Sequence, residues 1–145
     1  MVGKLVGVLL GSLFMVACAG NRPVETLAVT VDKPLEATAD MLFTRGMLCW
    51  SRNESDREGR LVQLVGVSAN VASISVLNYT RENGPGDSVF SMNLSRQGDR
   101  SSLAMYENRH DCSLFKGCQT GIYTADVKRW ITGDATCSSI DLPLR

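Results

Sequence analysis

Histidine is nearly absent: His110 is the only one in 145 residues. A zinc site or imidazole relay would have a single ring to work with. The cysteines include no Cys-x-x-Cys pair, and His110 stands only two positions from Cys112, so no metal is expected. Charge of either sign is not in excess, with 15 basic against 15 acidic residues. That balance leaves neither a nucleic-acid footprint nor a polybasic membrane patch. Charges are interspersed, as in Arg52 to Arg60, rather than blocked. No Gly-x-Ser-x-Gly elbow, P-loop or dinucleotide fingerprint occurs. Gly84-Pro85-Gly86-Asp87 fits neither phosphate pattern and stands between two strand-like segments, where a hairpin turn explains it. His110-Asp111 with a serine is the only material for an acyl-transfer triad. Its place after the last strand pattern reads as a solvated or capping turn, so no residue is assigned as catalytic and no enzyme is expected.

No apolar run is long enough to span a bilayer. Leu5 to Val16, behind Lys4 and interrupted only by Gly7, Gly11 and Ser12, has the length and flanks of a secretory signal. It ends in Met15-Val16-Ala17-Cys18. This segment resembles the lipobox of bacterial lipoproteins, departing from it in Met15, where leucine is more usual. The resemblance implies cleavage before Cys18 and a covalent lipid (palmitate among its acyl chains) on that residue, with no other cofactor. It also implies membrane attachment through the lipid. Ala19, rather than aspartate, follows the cysteine, which by the same resemblance implies the outer membrane, periplasmic or surface-facing. The chain divides accordingly into a signal peptide at 1–17, a lipidated cysteine and tether at 18–33, and one domain at 34–145. From Cys18 onward there are ~128 residues, one domain's worth.

Four cysteines remain, Cys49, Cys112, Cys118 and Cys137. An even number in an exported chain reads as two disulfides, each contributing roughly 2–4 kcal/mol. Closure entropy favours the short Cys112–Cys118 loop, leaving Cys49–Cys137. A four-strand meander, by contrast, brings Cys112 and Cys118 back near the end of the first helix, which favours Cys49–Cys112 with Cys118–Cys137. The first pairing leads, and the second stays open.

Pro34 suits a first helical turn. Leu35, Ala39, Leu42, Phe43, Met47 and Trp50 recur near helical spacing, predicting a helix from 34 to 51. Gly46 within it marks a close approach. Leu61 to Val67, Val71 to Tyr79, Val89 to Ser95 and Ser102 to Glu107 read as strands, most clearly where Phe90, Met92 and Leu94 alternate with Ser91, Asn93 and Ser95. The connections at 68–70, 83–87 and 97–99 carry hairpin residues. Leu27 to Val31 fits an edge strand or an extended linker equally. A second helix is predicted over 124–132, stopped by Gly133. The fold class is α+β: a two-layer sandwich of a four-stranded antiparallel meander, with one helix before and one after it on the Phe90/Met92/Leu94 face.

Period-two alternation leaves the other face wet. Tyr79 and Tyr106 there, among Ser91 and Asn93, are the candidate partner-binding residues. Trp50, Tyr123 and Trp130 read as core or rim. The expected function is a non-catalytic binding or accessory component of an envelope or secretion assembly, with an envelope protein as partner. The alternative is an inhibitor of a lysozyme or protease, with the Cys112–Cys118 loop as its wedge.

Overall fold

A computed structural model describes residues 24–51, 58–107, 112–113, 117–118 and 121–138. In chain order these form β1 (Val24–Val31), α1 (Leu35–Trp50), β2 (Glu58–Val65), β3 (Val71–Thr80), β4 (Gly84–Gln97), β5 (Arg100–Glu107), a short ribbon of β6 (Cys112–Ser113) and β7 (Gly117–Cys118), and α2 (Ile122–Ile131). The main sheet is antiparallel throughout, in the order β1-β5-β4-β3-β2.

The α+β class and the meander from β2 to β5 match the sequence pattern, but the sheet has five strands rather than four. The addition is β1, which pairs with β5 through Leu27↔Met105, Val29↔Leu103 and Val31↔Ser101. Five alternating residues cannot by themselves distinguish strand from linker. The deciding influence is distant: without β1, the outer edge of β5 would be open beside buried Leu103 and Met105, and β1 satisfies its backbone groups.

α1 then carries the chain from one edge of the sheet to the other. It packs on β2, β3, β4 and β5, while α2 packs on β1, β5 and α1. Both helices cover the face bearing Ile74, Val76, Phe90, Met92, Leu94, Leu103 and Met105, all at most 2% exposed. Each such side chain contributes roughly 1.5–3 kcal/mol by leaving water. Gly46 sits where α1 meets β2. A Cβ there would lie 3.2 Å from Val62 Cγ1 and 3.2 Å from Trp50 Cε3. Its helical cost of about 1 kcal/mol is thus offset by close helix–sheet packing.

Two boundaries differ from expectation for identifiable reasons. The hairpin expected over 83–87 turns earlier, at 81–83, and β4 already begins at Gly84. β5 pairs with β4 only as far as Phe90↔Glu107, so among the described strands 84–89 is an overhang bonded to β3 alone. A proline is tolerated in such a one-sided strand, and Pro85 lies there opposite Tyr79. α2 begins at Ile122, two residues before the expected start. Its cap comes from β5: the Glu107 carboxylate accepts from the N–H of Gly121, from the N–H of Thr124 at 3.1 Å and from Thr124 Oγ1 at 3.1 Å. Local sequence carries no sign of a cap supplied from another element. Gly133 does end the helix, with φ 96° and its N–H donating to the Trp130 carbonyl.

Candidate functional site

The face of the sheet opposite the helices is the candidate site. Alternation sends Ser102, Ala104 and Tyr106 of β5 to it, Ser91, Asn93 and Ser95 of β4, and Ser73, Ser75, Leu77 and Tyr79 of β3. β2 adds Leu61, Gln63 and Val65. None of these positions carries a charge. Charged residues stand at the margin of the face: Arg100 of β5 is ion-paired with Asp32 at 2.6 Å, and Glu25 of β1 is the register partner of Tyr106.

Three of the four candidate residues come together. Tyr106 is the register partner of Ser91, which is opposite Ser75, and Ser73 Oγ donates to Asn93 Oδ1 at 2.9 Å. Tyr79 is apart from them: it lies opposite Gly59 and Pro85, four residues and therefore about 13 Å along β3 from Ser75. It is 37% exposed. Trp50, Tyr123 and Trp130 are instead buried, as an aromatic cluster with Phe90. Trp50 meets Phe90 edge-on at 5.6 Å and Tyr123 edge-on at 5.2 Å, and lies 4.6 Å from Trp130.

The cysteines occupy two places. Cys49 and Cys137 form a disulfide, with Cα atoms 5.4 Å apart, so the alternative pairing through Cys49–Cys112 does not occur. Cys112 and Cys118 are register partners across the β6–β7 ribbon. Cys18, His110 and Asp111 lie outside the described residues. Among the described residues, no group of three or more His, Cys, Asp or Glu side chains is placed to hold a metal.

Sequence reasoning missed Asp126, whose side chain is fully buried. Its carboxylate accepts from Trp50 Nε1 at 2.9 Å, from the Ser138 N–H at 3.2 Å and from Ser138 Oγ at 2.5 Å, and it pairs with Arg129. Two adjacent pairs of residues are thereby zipped together. Cys49 bonds covalently to Cys137, while their neighbours Trp50 and Ser138 meet through Asp126. The Trp130 Nε1 bond to the Thr136 carbonyl and the Arg45 bond to the Ala135 carbonyl add to this fold-back of the tail. The Asp126 carboxylate is satisfied in a packed corner, although the buried Arg129 Nε finds no partner among the described residues, and the node has a structural role.

No family model, curated protein or solved structure matches this chain.

Proposed function

We propose that the protein is a lipoprotein of the bacterial outer membrane, anchored through acylated Cys18, and that it serves as a non-catalytic binding component of an envelope or secretion assembly. Met15 to Cys18 supports the anchor. The single observation that carries the binding role is the outer face of the sheet, uncharged at the positions of β2 to β5 around Ser91, Asn93 and Tyr106 and left uncovered by both helices, with Glu25 of β1 opposite Tyr106 at its margin. Interface centres are depleted in charge and enriched in tyrosine, while charges gather at the rim. A rigid antiparallel sheet also presents such a surface with little ordering cost on binding.

The tether is short. Val24 follows Cys18 by six residues, a reach of at most about 20 Å, so the domain would work close to the membrane. The hydrolase-inhibitor reading has one supporting feature, the Cys112–Cys118 register in a ribbon separate from the main sheet, which suits a stiff wedge.

Crosslinking in living cells, followed by mass spectrometry, tests the proposal. One envelope protein should dominate and be reduced in the untethered Cys18→Ser control. Ser91→Glu, which places a charge at the centre of the face, should lower its recovery at least tenfold while the circular dichroism spectrum is unchanged. Unaltered recovery with Ser91→Glu would remove the face from the interaction. A hydrolase recovered with tethered and untethered forms alike would move the assignment to an inhibitor.

A further inference from the structure

The two edges of the sheet are built differently. β1 carries an irregularity in its pairing between Glu25 and Leu27 and has α2 packed on it. β2 pairs with β3 over eight residues without a shift, from Glu58↔Thr80 to Val65↔Ser73. On its other side no described strand follows. Edges of this kind are ordinarily blunted by lysine, proline or a bulge. β2 has no lysine, proline or bulge; its two charged residues, Glu58 and Arg60, stand at its start, and Leu64 and Val65 at its other end are 38% and 45% exposed. In its C-terminal half the helix flank above it carries two apolar side chains, beyond Asp40 on the same stripe. Gly46 places α1 against Val62, and Arg45 bonds to Ala135 on the side of the tail. By helical geometry Phe43 and Met47, one turn apart, therefore lie on the flank toward β2; Met47 is 40% exposed.

We infer that β2 pairs antiparallel with β2 of a second copy of this chain, forming a two-fold dimer centred on Gln63. The strand's own sequence selects this occupant and this register. With Gln63 on the axis, Leu61 opposes Val65 on the open face and Val62 opposes Leu64 on the helix face, while Gln63 meets its counterpart. Every apolar residue then meets an apolar one, and no charged residue lies within the paired stretch. Moving the axis to Val62 sets Arg60 against Leu64 and Leu61 against Gln63. Moving it to Leu64 sets Gln63 against Val65. Moving the axis by one residue either way therefore mismatches the strand. The two Phe43/Met47 flanks face each other across the seam, and the formal net charge of +0 adds no long-range repulsion between copies. The contact is isologous, so it closes at two copies. It is independent of the anchor, and on the open face it uses the β2 margin rather than the centre at Ser91, Asn93 and Tyr106.

Oxidative crosslinking of the full-length protein in native membranes tests this. Gln63→Cys, on the axis, should give a disulfide-linked dimer at twice the monomer mass on a non-reducing gel. Thr30→Cys, exposed on β1 at the far edge, should give at least tenfold less. Leu64→Lys added to Gln63→Cys should lower the dimer band at least tenfold. Val65→Glu, on the opposite face of β2, should do the same. Circular dichroism and thermal melting of each variant establish that the fold is intact. Equal crosslinking of Gln63→Cys and Thr30→Cys, no dimer band, or adducts of Gln63→Cys with other proteins alone would each overturn the inference.

Discussion

Two corners of the molecule meet the same problem, the end of an element over the sheet, and solve it oppositely. Where α1 ends and the tail folds back, the Cys49–Cys137 bridge, the fully buried Asp126 and an aromatic cluster fix the structure at many points. At the β2 edge, Leu64, Val65 and Met47 stand part-exposed, with no such network around them among the described residues. The first corner invests in order within one chain. The second exposes apolar side chains on a strand that has no described neighbour on its outer side. Rigidity and availability are thus segregated, which lets a surface be sticky without loosening the core.

The comparison can be broken most directly at the bridge. It joins residues 88 apart in sequence, so Cys137→Ser with Cys49→Ser should cost about 4.6 kcal/mol by the chain-entropy account. Urea unfolding under oxidising conditions reads this, and reduction of the native protein should reproduce it. Asp126→Ala comes next, at about 3 kcal/mol, because it orphans the Trp50 indole N–H and two Ser138 donors. In the same assay Leu64→Lys at the open edge should stay within about 0.5 kcal/mol. Equal costs at the two positions would erase the distinction between the corners.

Acid provides the smallest effect. The Asp134 carboxyl is held below its ordinary value by the Thr136 backbone N–H and then by the Thr136 hydroxyl. At the start of α1, the hydrogen bond from its own backbone N–H lowers Glu36, with Arg96 assisting. Carboxyls lowered by folding stabilise the native state above their unfolded values, near pH 4, and lose that contribution as pH falls through the lower folded values. The melting temperature should therefore decline slightly below about pH 4. Asp134→Asn should flatten part of that decline, and an unchanged slope would count against the Thr136 bonds.

What could be read in the sequence was what alternation and local chemistry carry. Phe90, Met92 and Leu94 against Ser91, Asn93 and Ser95 gave away the meander, and Pro34 and Gly133 bounded the helices. Trp50 and Trp130 fell on apolar helical spacings and are core. What escaped depends on contacts distant in sequence. β1 is a strand because β5 needs a neighbour. α2 starts early because Glu107 reaches it from another element. Asp126 looks like any surface helix residue until Trp50 and Ser138 are placed beside it. For the disulfides, closure entropy and strand geometry favoured different pairings. The fold-back of residues 134–138 decided for Cys49–Cys137. Of the candidate site, the open face was legible from the strand period, but the separation of Tyr79 from Tyr106 required the register.

The position of β1 bears on how two anchored copies would share one bilayer. It lies at the edge opposite β2, four strand spacings from that strand. In a flat sheet, a two-fold axis normal to the plane would send the two N-terminal tethers in opposite directions. Sheets twist by roughly 20–25° per strand, which turns β1 by about 80–100° relative to β2. A strand turned that far runs nearly along the two-fold axis, and rotation about an axis leaves directions along it unchanged. Both copies of Val24 then open toward the same side of the dimer. Handed twist, a property of the backbone alone, would thereby let both acyl chains enter one leaflet.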